Sequence, residues 1–201
     1  MRFVVAVGLH VRVRVLIRWD MRDFVFNGLK IAVCRTGERV SGDIAIVGDF
    51  LYPIDLVAEA KGKENRIAEI CDVSGKADLT LVCGAEITAL GKRRLSAIVA
   101  HRGRLVDVAD GCSVSSPYVA SGTIKIYRTK SVKFAVLLGG DARVAFIMKK
   151  VAPVCDFVVA LEPEPSAGSA TRVRYLAAKL SLPVLYVSPD ETFFAAAPYG
   201  S

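Results

Sequence analysis

Val132-Lys133-Phe134-Ala135-Val136-Leu137-Leu138-Gly139-Gly140-Asp141 decides how this chain is read. The run 132–138 holds one charge among apolar residues, many of them good strand formers, and reads as a strand buried on both faces. Gly139-Gly140 reads as a turn, and Asp141 opens a helix over 142–151. Moving toward the C-terminus, 156–161 is a strand, 170–180 a helix and 183–188 a strand. Strand and helix alternate with short links, which marks βαβ units and a parallel section of sheet. Moving the other way, 124–127 is a further strand, and 109–123, rich in Ser, Gly and Pro, is a loop.

The first hundred residues read differently. Over 2–18 the side chains alternate, with Val11, Val13, Val15 and Ile17 on one side and His10, Arg12, Arg14 and Arg18 on the other. This predicts a half-buried strand with a basic outer face. Residues 29–34, 44–47 and 79–83 are short apolar strands. Residues 53–72 carry apolar side chains at helical spacing, from Pro53 onward, with a weak point at Gly62. Residues 95–101 and 104–108 flank Arg102-Gly103 as a hairpin. Hairpins early and crossovers late predict a mixed sheet in one domain covering 1–201, with 1–28 as an atypical basic region.

The composition agrees with an α/β protein. Hydrophobic residues make up 53% of the 201 and charged residues 23%. The mean hydropathy of +0.41 is high. Apolar runs stay far below the ~20 residues of a membrane-spanning helix, so strands buried on both faces account for it, and the arginines at 12, 14 and 18 break any signal-peptide core. Five scattered cysteines with no CxxC pair, and only two histidines, offer no metal-ligand pattern. They read as reduced thiols in a cytoplasmic protein. Glutamine is absent and asparagine occurs only at 27 and 65. That depletion points to a thermophilic source, where an internal disulfide can persist even in the cytoplasm. Residues 1–40 hold eight arginines and lysines against three carboxylates, so most of the net charge of +7 lies there.

Several stretches, taken in order, resemble the nitrilase or carbon–nitrogen hydrolase superfamily over roughly residues 29–200. Gly42-Asp43-Ile44-Ala45-Ile46-Val47-Gly48-Asp49-Phe50 is similar to the strand that ends in proline and a catalytic glutamate. Leu79-Thr80-Leu81-Val82-Cys83-Gly84 is similar to the strand after the first long helix. Ser96-Ala97-Ile98-Val99 with Gly103-Arg104-Leu105-Val106 resembles the family hairpin, and the run 132–141 resembles the nucleophile strand. Residues 152–161 and 172–188 resemble the helix–strand units that follow. The resemblance implies a four-layer α-β-β-α sandwich with mixed sheets, a homodimer whose sheets extend across subunits, and no cofactor. It also implies a glutamate base, an oxyanion-stabilising lysine and a cysteine nucleophile.

At all three positions this chain departs. The glutamate position is Asp49, one methylene shorter. Where the lysine belongs the chain reads Asp107-Val108-Ala109-Asp110-Gly111. The cysteine position is Gly139, which has no side chain to form a covalent intermediate; loss of a nucleophile in such a site costs on the order of a millionfold in rate. The family also places a long helix between its first two strands, whereas only residues 35–42 separate 29–34 from 43–50. A parallel crossover usually takes a dozen residues or more, which predicts antiparallel pairing there, with the N-terminal strand in the vacated place. The chain stops before the family's last strands, which implies a truncated sandwich.

The expected site is therefore a remnant pocket at Asp49, Gly139, Gly140 and Asp141. Each residue has a plainer role beside the functional one. Asp49 is a retained acid for an amine or a metal, or a polar strand end. Asp141 is a helix cap. Gly139-Gly140 cradles an anion on backbone N–H groups or simply turns the chain. Cys112 and Cys155 are candidates for a relocated nucleophile, though idle thiols are commoner. His10 and His101 read as ordinary groups, and Lys92-Arg93-Arg94 and Lys149-Lys150 as solvated charge. The leading expectation is a catalytically degenerate nitrilase-like homodimer that binds a small amide or carboxylate ligand, or a partner subunit. The alternatives are a hydrolase of non-peptide C–N bonds using non-standard residues, and nucleic-acid binding through Arg12, Arg14 and Arg18, although an edge strand made charged to prevent aggregation explains that row too.

Overall fold

Strands with one face in solvent alternate apolar and polar residues, whereas strands in the middle of a molecule are apolar throughout. The chain uses both kinds. The structure, a computed structural model, describes residues 4–5, 13–14, 16–18, 21–113, 117–130 and 132–195, with side chains from Asp23 onward, Leu51 excepted. Arg12 and His10 lie outside the described residues, as do the side chains of Arg14 and Arg18.

The N-terminal region is not one long strand. Val4–Val5 (β1) pairs antiparallel with Val13–Arg14 (β2), so the segment folds back on itself. Leu16–Arg18 (β3) pairs with Met21–Phe26 (β4), which forms a hairpin with Leu29–Cys34 (β5). The turn is Asn27-Gly28, with φ of +47° and +79°, the left-handed pair that suits the strand twist. Ile44–Asp55 (β6) follows, then helices Leu56–Ala60 (α1) and Arg66–Lys76 (α2). Thr80–Ala89 (β7), Lys92–His101 (β8) and Arg104–Asp110 (β9) complete a seven-stranded sheet in the order β3-β4-β5-β6-β7-β8-β9.

Two further expectations fail in this half. Strands β5 and β6 pair in parallel, Ile31 beside Ile44 and Cys34 beside Val47, and the N-terminal strands lie outside β5 rather than between the two. The register explains it. Ile44 lies beside Ile31, so the link returns only about three residues, ~10 Å, and residues 35–43 span that without a helix. The link is tied down by Asp43 N–H to the Lys30 carbonyl and Lys30 N–H to Asp43 Oδ2, each 2.8 Å. The helix expected from Pro53 begins later. Residues 53–55 are still strand, Pro53 lying opposite Glu86, and Asp55 caps α1 by accepting from the N–H groups of Val57 and Ala58. A turn through Gly62, at φ +66°, separates α1 from α2.

The second sheet follows expectation closely. Ile126–Thr129 (β10) and Val132–Leu138 (β11) form a hairpin. Ala145–Val151 (α3) leads from β11 to the parallel strand Phe157–Leu161 (β12), and Ser169–Lys179 (α4) leads on to Val184–Val187 (β13), again parallel. Thr192–Ala195 (β14) adds an antiparallel edge, giving the order β10-β11-β12-β13-β14.

Three apolar layers define an α-β-β-α sandwich. Between the sheets lie Phe24, Phe26, Ile31, Ile46, Val82 and Val99 against Phe134, Val136, Leu138, Phe157, Leu161 and Val187. Ile70 and Cys71 of α2 cover the outer face of the first sheet through Cys34, Val47, Leu81 and Cys83. Met148, Val151, Val173 and Leu176 of α3 and α4 cover the outer face of the second. Among the described residues, no helix is long and apolar enough to cross a membrane.

Candidate functional site

Strand β11 is buried to its last residue, and the chain must then turn sharply to begin α3. It does so in a 3-10 turn, Gly139–Arg143, entered with Gly139 at φ +56°. Glycine adopts that left-handed backbone without strain. Gly139 and Gly140 thus present bare backbone at the strand's C-terminal end. They line a cavity of about 540 Å³ together with Leu95, Ser113, Tyr118, Arg143, Glu164 and Arg172.

Beneath the cavity sits an ionic cluster. Glu162, at the end of β12, is 1% exposed. It accepts from Tyr186 Oη at 2.9 Å and from Ser169 Oγ at 3.2 Å. Arg143 Nε lies 3.1 Å from Glu162 Oε1, yet forms no hydrogen bond; its N–H points off the line to the oxygen, so the contact is an ion pair without a directed bond. Arg143 Nη1 donates to Ser166 Oγ. Its Nη2 lies against Gly140, where an added Cβ would sit 2.6 Å away. Burial and the Glu162 carboxylate push the Tyr186 phenol well above its ordinary pKa.

Asp141 is 1% exposed and does not cap α3, whose first residue follows Val144 with no side-chain cap. Its carboxylate instead accepts from Cys112 N–H (2.7 Å), Ser113 N–H (2.7 Å) and Ser113 Oγ (3.0 Å). It pins the loop after β9 onto the turn after β11, so it shapes the cavity from behind.

Asp49 does not line this cavity. The alternation of β6 explains why. Ile46 faces the inter-sheet layer, Val47 the outer one, and a Cβ on Gly48 would meet Val187 of the second sheet at 2.6 Å. Asp49 therefore faces outward, where it accepts from Thr36 N–H (2.6 Å) and Thr36 Oγ1 (2.7 Å). At φ +51° Phe50 breaks the alternation and turns its ring inward, within 3.0 Å of where a Cβ on Gly84 would be. The expected four-residue constellation is thus divided, with the two glycines at the cavity, Asp141 behind it, and Asp49 on the opposite face of the first sheet.

Other expected residues are also placed. The chain 92–94 is not simply solvated. Arg93 grips Glu86 through two bonds of 2.9 and 2.6 Å, Tyr118 Oη joins at 3.1 Å, and Arg94 pairs with Asp110 at 2.5 Å. The Glu86 contact fixes Tyr118, which lines the cavity. Lys125 pairs with Asp107 at 2.6 Å, and among the described residues the lining holds no lysine and no cysteine. His101 Nδ1 meets Thr80 Oγ1 at 3.0 Å.

All five thiols are free, and none is poised as a nucleophile. Burial first, and then the Asp141 charge, pushes Cys112 up to about 11; burial chiefly does the same for Cys155, to about 11, and for Cys83, to about 12. Cys155 Sγ is bonded to the Val151 carbonyl at 3.1 Å, and Cys112 Sγ to the Thr123 carbonyl at 2.9 Å. A raised pKa keeps the thiol protonated at neutral pH, and only the thiolate attacks. Alkylation of the native protein by iodoacetamide is therefore expected to be slow at neutral pH and to climb steeply toward pH of about 11. Rapid modification at neutral pH, located by peptide mass mapping, would contradict this.

Arg143, Glu162, Tyr118 and Arg172 escaped the reading of the sequence. Glu162 had a signal, a carboxylate directly after the wholly apolar 157–161. The others are surface-type residues until the fold brings them together.

With this geometry in place, comparison with solved structures shows what the fold is. The chain is similar to Nit3 of Saccharomyces cerevisiae, a member of branch 10 of the nitrilase superfamily, with 15% identity, a TM-score of 0.61, and coverage of 73% of this chain and 62% of that one. It is similar to an amidase from Nesterenkonia sp. AN1, a cysteine-to-alanine mutant bound to butyramide, with 10% identity, a TM-score of 0.60 and 73% and 63% coverage. It is also similar to the glutamine-dependent NAD+ synthetase of Acinetobacter baumannii, at 19% identity and a TM-score of 0.59, covering 76% of this chain and 33% of that one. No protein-family model matches the sequence, and no curated protein matches it. The chain has the nitrilase or carbon–nitrogen hydrolase fold. It spans from a third to just under two thirds of the length of these solved proteins.

Proposed function

We propose that this chain is a catalytically degenerate protein on the nitrilase fold that binds a small molecule in the cavity over Gly139 and Gly140. One observation carries the reading. The turn after β11, which resembles the nucleophile turn of the hydrolases, lines an open cavity with bare backbone, and the lining contains neither thiol nor lysine. The volume falls in the range of ligand sites, ~300–1,000 Å³. An acyl transfer needs a nucleophile, and Cys112, next to the lining residue Ser113, has its thiol pushed up to about 11 and bonded to the Thr123 carbonyl.

The test is ammonia release from a panel of aliphatic amides and nitriles, with wild type beside Cys112→Ala. No turnover above the uncatalysed rate is expected from either. Turnover in wild type that Cys112→Ala abolishes would restore the hydrolase reading.

A second copy of the chain is the expected partner. Phe146 and Tyr175, on α3 and α4, are 65% and 52% exposed on the helical side of the second sheet, where a partner copy would cover them. Sedimentation should give a dimer that Phe146→Glu shifts toward monomer; a monomer at all concentrations would remove the proposal.

A further inference from the structure

We propose that the cavity selects a small organic acid, seating its carboxylate between Arg143 and Arg172. This rests on the cavity being a ligand site, and goes further by assigning the ligand's charge.

The guanidinium of Arg143 is held from behind. Glu162 neutralises its Nε side without a directed hydrogen bond, and Ser166 takes Nη1. Nη2 has no acceptor among the described residues and lies over the bare Cα of Gly140, in the wall of the cavity. A donor of fixed position with an unused N–H is what a carboxylate oxygen requires. The glycine is part of this arrangement, because any side chain at 140 would displace Nη2.

Arg172 supplies a second donor. It is exposed in the first turn of α4 and lines the same cavity. It faces the Tyr175 ring at 5.7 Å and has no carboxylate partner among the described residues. Between the two arginines, α4 begins after Gly168, which has no side chain to cap it. The positive end of an eleven-residue helix therefore opens at the cavity and adds to the same sign of potential.

One carboxylate, Glu164, also lines the cavity. It belongs to the Tyr118 side, where its charge adds, after burial and the Glu86 carboxylate, to the upward push on the Tyr118 phenol. Among the described residues the lining holds two guanidiniums, Arg143 and Arg172, and one carboxylate, Glu164. Leu95, Val144 and Pro163 supply an apolar wall. A short aliphatic body ending in a carboxylate matches this arrangement, with the acid group toward the arginines.

The experiment is calorimetric titration of the full chain with butyrate and with butyramide, which share a shape and differ in charge. Butyrate should bind saturably, at least about tenfold more tightly than butyramide, and added salt should weaken it. Arg172→Gln should weaken butyrate about tenfold and leave butyramide unchanged; Arg172 is exposed, so this variant should keep the wild-type melting temperature. Glu164→Gln should tighten butyrate. Equal affinity for the two probes, or an Arg172→Gln variant that binds butyrate like wild type, would overturn the charge assignment while leaving the cavity a ligand site. Binding of neither probe would overturn both.

Discussion

Replacing Arg143 by methionine is expected to lower the unfolding free energy by about 3 kcal/mol, the low end of what breaking a buried ion pair costs. The reason lies in Glu162. Its carboxylate is 1% exposed, and Arg143 is the cation that pairs with it. Two hydroxyls, from Tyr186 and Ser169, would remain as donors, but neither carries charge. The low end applies because the Arg143 side chain is 32% exposed, so water reaches part of the site. Adding Glu162→Gln to Arg143→Met removes the stranded charge and should restore most of the loss. Urea unfolding of the two single variants and the double variant gives the coupling directly. If Arg143→Met is neutral, the pair is an ordinary surface contact and the cavity floor is not built around it.

Phe134→Ala is expected to cost about 4 kcal/mol, within the usual range for deleting a buried phenyl ring. Phe134 is fully buried and stands within a continuous aromatic chain. It stacks on Phe157 at 5.4 Å and meets Tyr127 at 5.5 Å, while Phe157 meets Phe26 of the first sheet at 5.3 Å. Phe194 extends the chain to Phe24 and Phe26 at 5.9 and 5.7 Å. The ring thus lies in the layer between the sheets and backs Phe157, which carries the contact across to Phe26. For a chain of this size the loss is a fall in melting temperature of about 10 °C. Phe134→Leu, which keeps most of the volume, should cost less than about 1.5 kcal/mol. A Phe134→Ala variant that melts like wild type would mean that the sheets do not pack through this layer.

The second sheet was legible because burial on both faces writes itself into composition. Phe157–Leu161 has no polar residue, and the glycine pair after Leu138 marks the turn wherever the helix begins. The first sheet was harder. The parallel pairing of β5 and β6 depends on register, which shortens the return path, and no local residue announces register. Pro53 misled for a related reason: it starts helices readily, yet it fits a strand where its missing N–H leaves no ladder bond broken. At the site, Gly139 and Gly140 were legible as a turn that exposes backbone. The resemblance of residues 42–50 to the strand carrying the catalytic glutamate puts Asp49 at the same place, but that likeness does not carry the orientation of the side chain; Gly48 faces the second sheet, so Asp49 faces away. Arg143 and Glu162 meet across two different connections, a proximity that only the folded chain creates.

The proposed function requires that the nitrilase fold of this chain carry no acyl-transfer nucleophile. One of the solved structures it resembles, a glutamate-to-leucine mutant of the Nesterenkonia amidase, shows covalent addition of the acetamide moiety of fluoroacetamide at the active-site cysteine. Intact-mass spectrometry of this protein after incubation with fluoroacetamide at neutral pH applies the same probe. The mass is expected to be unchanged from that of the untreated chain. A single stoichiometric adduct, mapped to Cys112 or Cys155 and absent from the corresponding alanine variant, would contradict it.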